Sequence, residues 1–223
     1  MTTAILSALP EEQGSLMHAL HQPERIVHAG RRFWRGELYG QPVVLALSGI
    51  GKVAAATTAT LLAERFGVAR MVFTGVAGGL GDGVQVGDVV VARDFLQHDM
   101  DASPIFPRWE LPGYGLVCMP CDTALTTTLF EAASVYLARD EAGFESKNVA
   151  ITHRHAARAH QGLIVSGDRF VSTSAESGAL RQALAAAGHQ VLAVEMEGAA
   201  VAQVCHDYGL PFAAVRTISD RAD

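Results

Sequence analysis

The chain has 223 residues, 49% hydrophobic and 18% charged, with a formal net charge of −6. A chain of this size and apolar content can bury a core without disulfides or a structural metal, and its acidic balance gives no electrostatic footprint for nucleic acid. Glu11 and Glu12 follow the first apolar run directly, with no basic segment before it, so no secretory leader is expected and a cytoplasmic location is.

In chain order, short runs rich in Val and Ile alternate with longer Ala/Leu-rich periodic segments. Strands are expected at Ala4–Ser7, Phe33–Leu38, Val43–Ser48, Met71–Thr74, Asp88–Ala92, Gly162–Ser166, Val191–Val194 and Phe212–Ile218. Helices are expected at Glu11–Leu20, Lys52–Phe66, Thr123–Arg139, Ala175–Ala187 and Gly198–Tyr208. Pro10 suits a first helical turn, where its missing N–H would be unpaired anyway. Gly67, Gly188 and Gly209 follow helix ends, where a left-handed cap is wanted. The apolar stretch Val43–Leu62 is broken by Lys52 and by Thr and Gly residues, so it reads as strand, turn and helix rather than a membrane span. Strands apolar on both faces with helices between them predict a single-domain, three-layer α/β/α arrangement around a mixed, mostly parallel sheet.

Three groups are expected to carry no chemistry. Cys118 and Cys121 have C-x-x-C spacing, but with only Cys205 besides there is no second pair for a zinc site, and all three read as ordinary thiols. The basic cluster His153, Arg154, His155, Arg158 and His160 reads as a solvated surface segment. His98-Asp99-Met100-Asp101 is a local loop of polar residues, and neither metal nor cofactor is expected.

In a sheet of this kind, chemistry sits beyond the strand C-termini. The segments there are Ser7–Glu12, Ser48–Lys52, Thr74–Gly79, Ser166–Phe170, Glu195–Glu197 and Ser219–Asp220. Gly49-Ile50-Gly51-Lys52-Val53-Ala54 loosely fits a dinucleotide loop, but no acidic residue ends the next strand to hold a ribose, so a tight turn bordering a pocket is the better reading. Thr74-Gly75-Val76-Ala77-Gly78-Gly79 would let a ligand approach bare backbone after a short strand. Glu195 and Glu197 would share one side of an extended chain with Met196 on the other, able to accept from vicinal sugar hydroxyls, or would sit at a solvated helix N-terminus. Asp220, next to Ser219 at a buried strand's end, is a candidate general acid or a helix cap. Glu12, in the first turn of a helix after the first strand, could be simply a surface residue favoured by the helix dipole.

Taken together these segments, with Val86-Gly87-Asp88-Val89-Val90 and Ser166-Gly167-Asp168-Arg169-Phe170, resemble the 5′-methylthioadenosine/S-adenosylhomocysteine nucleosidases of the purine nucleoside phosphorylase superfamily. The resemblance implies that Glu12 activates water, Asp220 with Ser219 protonates adenine N7, and Glu197, beside Glu195, holds the ribose. It implies that Phe170 stacks on adenine, that the Val171 backbone reads its edge, and that Leu9, Ile50 and Met196 line the sugar and thioether pocket near Val76, Ala77 and Gly78. It further implies an adenine nucleoside as the small-molecule substrate, with no nucleic acid or membrane partner. A homodimer is also implied, in which a neighbour's loop around Ile105 and Phe106, within Asp101–Gly113, closes the site. Asp140–His160 reads as an insertion, and the chain ends three residues after Asp220, where the resemblance implies a further helix. Alternatives are a phosphorylase using Arg216 to hold phosphate, a futalosine-type nucleosidase, and a non-catalytic adenosine-binding sensor. Val76 offers no side-chain donor and counts against phosphate, while Glu12 and Asp220 count against the sensor.

Overall fold

The computed structural model describes residues 1–144, with side chains to 139, and 156–222. Its strands are β1 (Thr3–Ser7), β2 (His21–His28), β3 (Arg31–Leu38), β4 (Gln41–Leu47), β5 (Arg70–Gly79), β6 (Val89–Gln97), β7 (Cys118–Pro120), β8 (Ala159–Ser166), β9 (Val191–Glu195) and β10 (Phe212–Asp220). Its helices are α1 (Pro10–Ala19), α2 (Lys52–Phe66), α3 (Thr123–Phe144), α4 (Ser174–Ala186) and α5 (Gly198–Tyr208).

All ten strands form one sheet in the order β10-β6-β8-β9-β5-β1-β4-β3-β2, with β7 beside β6. A further pairing of β10 with β5 closes β5, β10, β6, β8 and β9 into a ring. Among the described residues five strand pairs are parallel and five antiparallel. The sheet is therefore evenly mixed rather than mostly parallel. Two of the antiparallel pairs come from the β2–β3–β4 meander, whose tight turns reverse the chain without a crossover helix.

β2 is absent from the sequence reading because it is an edge strand with almost every residue exposed, so no apolar alternation marks it. β7 has only three residues. The helices follow the sequence closely. On α2 the buried residues are Ala55, Thr58, Ala59 and Leu62, at the spacing of one helical face. That face meets α5, which buries Ala199, Ala200, Val201, Ala202 and Cys205, small side chains that let two helices approach closely. Leu62 is fully buried there, and its truncation to Ala would cost about 2–5 kcal/mol.

Gly51 (φ 94°) precedes α2 and Gly67 (φ 55°) ends it in the left-handed conformation. Pro10 opens α1. Asp122 caps α3, accepting the Leu125 N–H at 2.8 Å, and Thr173 caps α4, accepting the Glu176 N–H at 3.2 Å.

The basic cluster is not simply solvated. His160 places Nε2 2.7 Å from the buried Asp88 carboxylate, which also accepts the Arg158 N–H at 2.8 Å. A buried carboxylate needs such partners, and these come from β8 and from the residue just before it. His153, Arg154 and His155 fall outside the described residues, as does most of the expected insertion Asp140–His160. No helix among the described residues is long and apolar enough to cross a membrane.

Candidate active site

The six segments expected beyond the strand ends border one cleft of about 670 Å³, open to solvent. It is lined by Ala8, Leu9 and Glu12 after β1 and Ile50 after β4; by Val76, Ala77 and Gly78 on β5; by Arg169, Phe170 and Val171 after β8; by Val194 to Glu197 around the end of β9; and by Ser219 and Asp220 at the end of β10.

Glu12 stands at the third position of α1, and its side chain turns back to the helix entrance. Its Oε2 accepts the Ala8 and Leu9 N–H groups at 2.7 and 2.9 Å, and Oε1 accepts the Val76 N–H at 2.9 Å. Three backbone donors fix this carboxylate at the cleft without using a single side chain. Asp220 ends β10, where Oδ2 accepts from the Ser219 hydroxyl at 2.8 Å and Oδ1 from the Ala222 N–H at 2.7 Å. Thr74–Gly79 is strand rather than a turn, because β5 runs on to pair with β10 and β9. Its glycines serve side chains as well as a ligand: a Cβ on Gly78 would lie 3.1 Å from Asp220 Oδ1 and 2.8 Å from the Ala222 Cβ.

Glu197 precedes α5, and its Oε1 accepts the Gly51 N–H at 2.8 Å. It is 5% exposed. Burial and the neighbouring Glu195 carboxylate push its pKa up to about 7, against the lowering effects of the Gly51 N–H and the Arg216 charge.

The family model of the phosphorylase superfamily matches residues 2–223. The nucleosidase for 5′-methylthioadenosine and S-adenosylhomocysteine from Oceanobacillus iheyensis is 35% identical over the whole chain and 87% of its own length. This chain belongs to that nucleosidase family. A solved structure of the Neisseria meningitidis member, in complex with methylthio-immucillin-A, matches with a TM-score of 0.82 at 36% identity, covering 100% of this chain and 87% of that one. A Helicobacter pylori member, an aspartate-to-asparagine mutant with 5′-methylthioadenosine in its active site, matches with a TM-score of 0.80 at 30% identity, covering 100% and 86%.

In this nucleosidase-family chain, two of the residues expected at the site make internal hydrogen bonds. Glu195 is the last residue of β9, so the strand alternation expected to align it with Glu197 stops there. Its carboxylate is consumed inside the protein. Oε1 accepts from the Ser166 hydroxyl and the Glu197 N–H, Oε2 from Arg216 Nη2 at 2.6 Å, and the Gly198 N–H reaches both oxygens. Arg216, 2% exposed, also lies 4.1 Å from the Phe73 ring centroid and does not line the cleft. Both residues hold the start of α5, and with it Glu197, while Glu195 also borders the cleft.

Phe170 is 66% exposed at the cleft, where a flat ligand could cover it. Ile105 is 81% exposed and Phe106 half-buried, and neither lines the cleft of its own chain. Their loop is less apolar outside than its sequence suggests, because Trp109 and Leu111 are buried in their own chain. The sequence reading gave no role to Lys52, Asp99 or the Asp168 side chain. Lys52 Nζ lies 2.7 Å from Asp99 Oδ1, and Asp168 Oδ1 accepts the Lys52 N–H at 2.7 Å. No sequence signal marked them, because their proximity comes from strand pairing: β6 and β8 are parallel neighbours with Gln97 opposite Ser166, so Asp99 and Asp168 each lie two residues past a matched pair.

Proposed function

We propose that this chain hydrolyses the N-glycosidic bond of 5′-methylthioadenosine and S-adenosylhomocysteine, releasing adenine and the 5-thioribose product. The observation that carries this reading is the convergence of three carboxylates, Glu12, Glu197 and Asp220, on one cleft walled by Leu9, Ile50, Val76, Met196 and Phe170. Apolar walls suit a thioether and a purine, while the carboxylates suit the sugar and the bond to be cut.

Adenine stacks on Phe170, with its edge read by the Val171 backbone. The Glu197 carboxylate accepts from ribose hydroxyls, while the Gly51 N–H holds its Oε1 in place. As the C1′–N9 bond breaks, its electron pair moves into adenine and Asp220, steadied by Ser219, gives a proton to N7. Water adds to C1′ and loses its proton to Glu12. Negative charge near the sugar favours the oxocarbenium-like transition state.

A phosphorylase would need cations directed at one spot beneath the sugar. Arg216 is already bound to Glu195, and a phosphate about 4 Å from Glu12 would meet repulsion of about 4 kcal/mol per charge pair at an effective dielectric near 20. Incubation with methylthioadenosine, with and without phosphate, tests this. Free thioribose and adenine at a phosphate-independent rate are expected, and a sugar 1-phosphate as the main product overturns the reading.

The chain is read as a single nucleoside phosphorylase-like domain with helices layered on both sheet faces, working in the cytoplasm. It is also read as a homodimer in which Ile105 and Phe106 cover the neighbour's cleft. A monomer with full activity, by ultracentrifugation at assay concentration, overturns that part.

A further inference from the structure

We propose that Asp99 is a positioning residue for the adenine end of the cleft, tying the Phe170 loop to the Ile50 turn through the Lys52 ammonium and the Asp168 N–H. The proposal rests on the cleft reading above.

Ile50 and Phe170 are exposed apolar side chains that line the cleft from two separate loops, each needing an anchor. Consecutive backbone amides at the start of α2 supply one half. The Gly51 N–H donates to Glu197 and the Lys52 N–H to Asp168 Oδ1, so one turn contacts both a cleft carboxylate and the loop that carries Phe170. The fit is close: a Cβ on Gly51 would lie 3.1 Å from Asp168 Oδ1.

Asp99 supplies the other half. Its Oδ1 accepts from Lys52 Nζ at 2.7 Å and its Oδ2 from the Asp168 N–H at 2.8 Å, closing a cycle of Lys52, Asp168 and Asp99. Lys52 Nζ also donates to Gln97 Oε1 at 3.0 Å, and Gln97, itself buried, donates to Gln203 Oε1 on α5 at 2.8 Å. The cycle is thereby fastened to the body of the fold. Partial burial would raise the Asp99 carboxyl, but the Lys52 hydrogen bond, the Asp168 N–H and the Lys52 charge together hold it below its ordinary value. Asp99 itself does not line the cleft.

The side chains of Lys52 and Asp99 are 16% and 30% exposed, and ion pairs near the surface contribute little to global stability. The effect of breaking this one should therefore register in binding more than in melting temperature. Asp99→Asn keeps the size but turns an NH2 group toward one of two donors. Lys52→Met keeps the stem and removes the ammonium.

The test measures adenine binding by calorimetry, methylthioadenosine turnover, and amide exchange for these variants, their double variant, and Asp94→Asn on β6 as a control. Each single change is expected to weaken adenine and raise KM about tenfold, the loss of a charged hydrogen bond, with kcat within about threefold. The double variant should be no worse than the poorer single one, since both break the same cycle. Exchange at the Lys52 and Asp168 amides should quicken, and Asp94→Asn should match wild type. Unchanged adenine affinity, or a fall in kcat with KM unmoved, overturns the proposal. If wild type binds adenine but does not cleave methylthioadenosine, the hydrolase reading fails while the adenine affinities still decide the role of Asp99. Absence of adenine binding by wild type overturns both.

Discussion

Gly75 and Glu12 occupy complementary space: a Cβ on Gly75 would fall 2.5 Å from Glu12 Oε1. The carboxylate can take the Val76 N–H only because residue 75 has no side chain. Gly75→Ala should therefore push Glu12 off its donors. Alanine suits an extended strand at least as well as glycine, so the fold should survive. We expect kcat to fall by about 10²-fold or more, the low end of general-base effects, with little change in melting temperature. Near-normal turnover by Gly75→Ala would show that Glu12 does not need this position.

Asp220→Asn keeps the size and the contact with Ser219 but removes the transferable proton. A fall in kcat of about 10²–10⁴-fold is expected, with substrate binding retained. Single-turnover kinetics on methylthioadenosine would separate the two. Equal losses in binding and chemistry would assign Asp220 to recognition alone.

Glu197 gives the site a pH signature. Its pKa is raised to about 7 by burial and by Glu195, and the ribose-holding form is the carboxylate. Activity should rise with pH through this value, with a limb in kcat/KM that Glu197→Gln abolishes. Stability should move the opposite way. Between the ordinary carboxylate value and about 7 the folded protein holds a proton that the unfolded chain has lost, so this group's contribution declines as pH rises across that window. A kcat/KM profile flat from pH 5.5 to 8.5 would remove Glu197 from the ribose role.

Arg216→Met tests the assignment of Arg216 to structure. It strands the buried Glu195 carboxylate, and breaking such a pair typically costs about 3–5 kcal/mol. Denaturant unfolding should show a loss of that order. A loss of activity at undiminished stability would return Arg216 to substrate binding.

Most of the site was legible because it lies at strand ends, and strands buried on both faces announce themselves as continuous apolar runs. Glu12, Glu197, Phe170 and Asp220 all follow such runs and all reach one cleft. What the sequence hid is set by pairing. Glu195 and Glu197 look equivalent until the end of β9 is known, and only then does one turn inward to Arg216. The Lys52–Asp99–Asp168 cycle depends on β6 and β8 being neighbours, which no local pattern encodes. β2 was missed for the opposite reason, since an exposed edge has no core to leave its mark.

The ring of β5, β10, β6, β8 and β9 also governs how this molecule meets others of its kind. A sheet closed on one side leaves few places where a foreign strand could add, and among the described residues these are the outer rims of β2 and the short β7. Each contains a proline, Pro23 and Pro120, which has no N–H to offer a newcomer, and Pro23 is followed by the exposed charges of Glu24 and Arg25. The ten strands described thus present poor templates for fibrillar association.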